Sequence, residues 1–466
     1  MSSEDFPIQV AGIEDTQIPS ERLTELLNLY EVSGLGAVLA LVNISSKADR
    51  DDFQVLNLLA EVAQKANKPE VATRAYYQAI EIKPDDPEAM MNYANALRSF
   101  EKPDAAARAL NKMLLHNPAD ARLFNILGEI YSEMNDYSSA KAAFDRAIAL
   151  RPTLAEAHNN LGKLLRAHGK LEEAISSFAL AVSEKADNFE GLLNLAAAYQ
   201  SNSELDLAIA VYQRALELYP ESVPIIFNIG LAQEELGLFF DALDAYDRVL
   251  QLKPDHHKAL NNKGMILCGE GRIQEGIDCM YSALELSSDP ARVTCNIGVA
   301  FADLGEGGRA TEMFEKAIRI DPACAEAYWN LSVLKLRSGE FLEGFKLYEW
   351  RWKIGATAGM QIKSVKPTWS GQRGAKVLVQ SEQGISDVLM FATILAELAQ
   401  LCKKVIFFCD PRLVALFERT FSGNIVIIGS NLGISEEDFD YQIPIGSLPR
   451  FFRSNLESFK KGSSAF

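Results

Sequence analysis

Six prolines set the period of this chain. Pro84, Pro118, Pro152, Pro220, Pro254 and Pro322 each follow an apolar helical stretch, and every gap between them is 34 or 68 residues. Ala186 and Ser288 hold the two skipped places. A proline ring lacks the N–H that a helical ladder needs, so each proline marks a helix end. One period holds two helices and two turns. Such a pair cannot bury its apolar face alone and must stack on neighbours.

With the proline as position 32, repeats start at 53, 87, 121, 155, 189, 223, 257, 291 and 325. Position 8 is small in all nine, from Ala60 through Gly162 to Ser332. Position 20 is also small, from Ala72 through Ala174 to Gly344, and position 24 is bulky, from Tyr76 through Phe178 to Tyr348. Small residues at 8 and 20 let the two helices approach, and the bulky residue fills the space beside them. Gly169, Gly237, Gly271, Gly305 and Gly339 stand at position 15, where the turn needs backbone freedom. This pattern is similar to the tetratricopeptide repeat over roughly 300 residues. The expected fold is a mainly α chain: a right-handed α-solenoid over 53–358, preceded by a tail and degenerate capping helices over 1–52. The ninth repeat departs at position 27, where Arg351 replaces a small residue, as suits an array ending against another domain.

In this repeat the first helix, A, lines the concave surface. Position 6 of helix A is asparagine in seven repeats: Asn92, Asn160, Asn194, Asn228, Asn262, Asn296 and Asn330. Asparagine is a mediocre helix-interior residue, so the row asks for a cause. A primary amide both donates and accepts, and could hold a peptide backbone without reading side chains. The row resembles that of the protein O-GlcNAc transferases, which implies that these seven bind substrate polypeptide. The alternative is that each amide bonds a neighbouring repeat and belongs to the repeat unit. A chaperone-tail clamp would need lysine at position 5, and none of the nine residues there is lysine.

From Lys376 the periodicity changes. VLVQ, KVIFFC, IVII and YQIPI read as strands, SEQGISD as a loop, and VLMFATILAELAQL and DPRLVALFERTF as helices, the second with Asp410 as N-cap and Pro411 in its first turn. This βαβαβ order predicts a parallel sheet over 376–466, joined by a linker over 359–375. The loop after the first strand is where open α/β sheets bind ligands. It is neither a dinucleotide fingerprint nor a P-loop, since Gly384 stands alone.

Four motifs in order, Tyr348-Glu349-Trp350-Arg351-Trp352, Trp369-Ser370-Gly371, Ser381 to Asp387 and Ile445 to Pro449, resemble bacterial tetratricopeptide proteins with a fused glycosyltransferase-like domain. That domain is related to the heptosyltransferases of the two-lobed GT-B fold. The resemblance implies a partial, Rossmann-like first lobe, with Asp387 as general base near the acceptor, and Gly384 and Ser386 in the binding loop. Ser386 stands where those enzymes carry glycine, and a first-turn acid favoured by the helix dipole is the other reading of Asp387. The nucleotide sugar sits mainly in the second lobe of those enzymes, and this chain ends after four strands. The expectation is therefore no cofactor, or a nucleotide sugar if the enzyme reading holds.

Charge excludes one partner class. The net charge is −17, with −19 falling in residues 1–360 (34 basic, 53 acidic). A nucleic-acid binder needs a basic face to replace phosphate counterions, and no such face is present. Hydrophobic residues at 48% and charged residues at 23% fit a globular chain. No run is apolar enough to span a bilayer. The N-terminus lacks a secretory signal, and six cysteines form no C-x-x-C pair, so reduced thiols in a cytoplasmic protein are expected. The leading function is a scaffold binding an extended polypeptide or partner protein. The alternatives are the N-terminal portion of a glycosyltransferase, and a structural assembly built by self-association of repeats.

Overall fold

The structure, a computed structural model, describes residues 53–65, 67–83, 86–100, 103–115, 118–354, 364–382, 384–429 and 433–460. The expected capping helices over 1–52 lie outside the described residues. The chain divides into two compact units, Met1–Gly237 and Leu238–Phe466. It is a run of tandem helix pairs followed by a small mixed β/α region.

In the first unit the pairs run from Phe53–Lys65 with Pro69–Ile82 to the A helix Val223–Glu235. The packing rule of positions 8, 20 and 24 holds residue by residue. A methyl group built on Gly128 would lie 2.5 Å from the Phe144 ring, and one on Gly162 would lie 2.6 Å from the Phe178 ring. These glycines are seats for the aromatic ring two turns into helix B. All nine position-24 side chains are buried.

The turn at position 15 is left-handed wherever it is described. Five glycines have φ between 74° and 84°, and Asn67, Asn135 and Ser203 adopt φ of 54°, 58° and 61° at the same address. The Gly169 N–H bonds Arg166 O and the Lys170 N–H bonds Leu165 O, which closes the Schellman motif. Serine has no steric licence for this conformation. Ser203→Gly is therefore expected to raise stability by about 0.5–1 kcal/mol in denaturant titration, and Gly169→Ala to lower it by a similar amount.

The second unit holds the B helix Phe239–Leu252, pairs seven to nine, and the β/α region. Gly264 and Gly276 face each other there, so close that a methyl group on Gly264 would meet the Gly276 carbonyl oxygen at 2.7 Å. The last B helix stops after seven residues, Phe341–Leu347, and continues as a 3-10 turn, Tyr348–Lys353.

The sheet is wholly parallel, in the order β3-β2-β1-β4, with β1 Lys376–Gln380, β2 Lys404–Cys409, β3 Ile425–Gly429 and β4 Tyr441–Pro444. The single helix expected over 388–401 is two, Ile385–Ala392 and Leu395–Leu401, separated by a turn where the Thr393 hydroxyl bonds Met390 O. Part of the expected linker is ordered structure. Trp369 N–H bonds Gln442 O and Gln442 N–H bonds Pro367 O, so residues 367–369 run along the edge of β4. Covering that edge satisfies backbone groups that would otherwise invite pairing. Asp410 caps Pro411–Thr420 as expected, accepting from the Arg412 N–H.

Candidate functional site

All seven position-6 asparagines are half-buried on their A helices. Six of them have a described partner in the preceding repeat, and Asn194 and Asn262 also bond Glu190 and Asn261 of their own repeats. Asn160 Nδ2 donates to Asn125 Oδ1 at 3.2 Å and to Glu129 Oε1 at 2.7 Å. Asn194 Nδ2 donates to Asn159 Oδ1 at 3.0 Å. In the second unit Asn296 donates to Asn261 Oδ1 at 3.0 Å and Asn330 to Cys295 Sγ at 3.6 Å. Asn262 donates to the Tyr246 hydroxyl at 3.3 Å, and Asn228 shares a hydrogen bond with Tyr212. Burial pushes the Tyr212 hydroxyl up to about 12, so it keeps its proton at neutral pH. Asn92 lies on the helix Pro87–Ser99 in the first unit.

These bonds decide which atoms remain for a ligand. Asn160 uses Nδ2 twice, and Asn194 also bonds Glu190, so the carbonyl oxygen is what each offers onward. The partners at position 5, Asn125, Asn159 and Asn261, are more deeply buried than the ladder itself. Sequence reasoning missed them as a set. The available signal was a spacing of 35 residues between two amides, one repeat plus one residue.

A cavity of about 560 Å³ opens beside the ladder in the first unit, lined among others by Asn125, Asn159, Asn160, Arg98, Glu129 and Lys163. Its charges are mutually braced. Arg98 bonds Glu129 at 2.6 Å and Glu133 at 2.9 Å, and Lys163 bonds Glu190 at 2.9 Å. The hydrogen bond from Lys163 holds the Glu190 carboxyl below its ordinary value. At position 9 the repeats carry Glu61, Asn95, Glu129 and Lys163, then Ala197, Leu231, Met265, Val299 and Val333, all at least partly exposed, so the address turns from polar to apolar after the fourth repeat.

The motifs of the C-terminal region converge on one buried ion pair. Arg351 is 2% exposed, and its NH2 donates to Glu382 Oε1 at 2.8 Å and Oε2 at 3.0 Å, while Nε donates to Oε2 at 3.1 Å. Ser447 Oγ accepts from the same NH2 at 3.0 Å, and the Gly446 N–H donates to Glu382 Oε1 at 2.5 Å. Burial pushes the Glu382 carboxyl above its ordinary value, against the pull of Arg351 and the Gly446 N–H. Three of the four sequence motifs thus supply one structural knot, and Trp369 of the fourth is buried in the same core.

The loop residues sit differently from expectation. Gly384 caps the helix Ile385–Ala392 with φ −76°, and its carbonyl accepts from Asp387 and Val388 N–H. Ser386 therefore lies within the first helical turn and not in the loop, because the helix starts one residue after Gly384. Asp387 is a half-buried first-turn acid.

Among the described residues no group of His, Cys, Asp and Glu is placed to hold a metal. No described helix is long and apolar enough to cross a membrane. The described cysteines are free, and all but Cys279 are buried.

Tetratricopeptide repeat profiles match residues 126–190, 227–290, 190–222 and 291–324, and the profile of the cytochrome c-type biogenesis protein H TPR domain matches 47–153. The β/α region lies outside these matches. Protein FlbA of Caulobacter vibrioides is 29% identical over 187 residues, covering 35% of this chain and 31% of that protein. The match therefore spans about a third of that relative. Similar solved structures include MamA, at 25% identity and TM-score 0.34 over 36% of this chain and 97% of that one. A tetratricopeptide repeat protein from Parabacteroides merdae matches at 20% identity and TM-score 0.46, over 50% and 93%. The Cut9–Hcn1 hetero-tetramer of the APC/C matches at 16% identity and TM-score 0.41, over 67% and 62%.

Proposed function

This chain belongs to the tetratricopeptide repeat proteins, and from that premise we propose that the A-helix faces of its units hold an extended polypeptide through the asparagine row. Proteins of this fold generally act as protein–protein interaction scaffolds. The observation that carries the finer reading is the row itself, seven half-buried amides at one helical address. The bonds to the preceding repeat orient six of the seven amides, Asn160 to Asn330, before a ligand arrives, which lowers the ordering cost of binding. In the first unit the free carbonyl oxygens of Asn160 and Asn194 would accept backbone N–H groups of the bound chain. The flanking position-9 residues give the row different side-chain preferences along its length, polar or charged beside Asn92 and Asn160 and apolar beside Asn194, Asn228, Asn262, Asn296 and Asn330.

Each net hydrogen bond contributes about 0.5–1.5 kcal/mol. Replacing Asn160, Asn194 and Asn228 together by alanine is expected to weaken polypeptide binding by roughly 10- to 100-fold. Fluorescence anisotropy with a library of unstructured peptides measures this, with circular dichroism to verify folding. Unchanged affinity in a folded variant would return the row to a purely intramolecular role.

A second reading has its own observation. Asp387 follows the carboxyl end of β1 in a parallel sheet, where open sheets take ligands. On this reading the repeats present protein acceptors to a glycosyltransferase-like segment. It ranks second because Glu382, the other carboxylate there, is committed to Arg351. Calorimetric titration with UDP-, GDP- and ADP-sugars tests it, and the absence of any heat of binding would remove it.

A further inference from the structure

We infer that the β/α region is the C-terminal cap of the helix-pair stack, keyed to the last pair by the buried Arg351–Glu382 contact, and that it keeps the end of the stack from receiving a second copy of the chain.

Four observations converge. First, position 27 carries Ala147, Ala181, Ala215, Val249, Ala283 and Ala317 in repeats three to eight, all buried. At these addresses a B helix faces the A helix that follows it. Among the described residues no A helix follows repeat nine, and its position 27 is Arg351, which reaches across to Glu382 on the loop after β1 and Ser447 after β4. Second, the last B helix breaks into the turn Tyr348–Lys353 instead of completing the 14 residues of Gly307–Ile320 before it. This turn carries Arg351 to the sheet.

Third, the last pair has no core boundary with the sheet. Phe345 and Tyr348 share one buried cluster with Val377, Phe391, Leu395 and Leu448, and Trp329, Leu336 and Phe341 pack against it. Tyr348 meets Phe391 edge-on at 6.2 Å, and Phe341 meets Phe459 at 4.8 Å. Fourth, Arg450 bonds Glu349 at 3.3 Å at the margin of the same contact. A bare end would show a row of large apolar rings. The ends of repeat arrays need a polar outer face, because an uncovered apolar end accepts another repeat. The chemistry that fits such an end best is the complementary stacking face of an identical chain. A guanidinium held bidentately at one register sets which face of the sheet seats on the rings.

The test uses the full chain. Native-state hydrogen exchange in low denaturant is expected to show Phe341–Leu347 and β1 losing protection together, as one cooperative unit. Protection of Phe341–Leu347 that outlasts β1 would overturn the cap. Sedimentation velocity of Glu382→Ala is expected to show a concentration-dependent shift to larger species relative to the unaltered chain. The double variant Arg351→Met/Glu382→Leu, which leaves no buried charge, is expected to sediment as the unaltered chain does. A Glu382→Ala chain with an exchanging sheet and unaltered sedimentation would refute the role. So would loss of all helical circular dichroism in both Glu382→Ala and Glu382→Gln, since the region would then be core and not cap.

Discussion

Truncating Phe178 to alanine is expected to destabilise the first unit by about 3–5 kcal/mol, one of the largest single losses in the chain. The ring is fully buried, lies against Gly162, and belongs to a cluster that runs through Leu161, Leu192 and Tyr212. Its removal leaves a cavity that two rigid helices cannot close. Stability in a repeat array is a sum of pair terms and neighbour terms, so a hole at one pair also weakens its contacts to both neighbours. Denaturant titration followed by circular dichroism measures the loss. Leu180, two residues on and 49% exposed, is the control, and Leu180→Ser is expected to stay within about 0.5 kcal/mol. A comparable cost at both positions would contradict the packing described.

The second large effect is at the C-terminal knot. Glu382→Ala is expected to cost the second unit about 3–5 kcal/mol, because Arg351 would lose its buried counter-charge and keep only the more exposed Glu349 at 3.1 Å. The loss largely disappears with both partners gone. Arg351→Met with Glu382→Leu is expected to lie near the unaltered stability, because desolvating an ion pair cancels most of its attraction. The upward push on the Glu382 carboxyl is the same desolvation read on one partner. Differential scanning fluorimetry of the two singles and the double closes the cycle. Equal losses in the single and double variants would mean that side-chain volume, and not charge, governs the contact.

Much of the fold was legible because the repeat writes the same steric rule nine times. A small residue at 8, another at 20 and a ring at 24 specify helix–helix approach whatever the partner, and Gly128 with Phe144 or Gly298 with Phe314 realise it directly. The left-handed turn was legible at Gly169 because only glycine enters it without cost. At Ser203 it was not, since the packing of the two flanking helices imposes φ 61° on a residue that does not favour it. The proline stops were likewise sufficient but not necessary. Leu171–Glu184 and Ile273–Leu286 end where the others do, with Ala186 and Ser288 in the proline's place. There the next repeat's position, not the local backbone, fixes the end.

The site residues divide along the same line. The sequence by itself determined that seven asparagines share one helical address, because a 34-residue period is a property of order along the chain. Which atoms of those amides stay available was decided by stacking, which brings Asn125 to Asn160 and Cys295 to Asn330. The same holds at the C-terminus. The period change at Lys376 and the strand order were readable from local patterning. That Arg351, Glu382 and Ser447 meet was not, since Glu382 and Ser447 lie 31 and 96 residues from Arg351 along the chain. Hydrogen bonds between charged groups form wherever folding removes water and leaves no other partner, and that is a property of the assembled core.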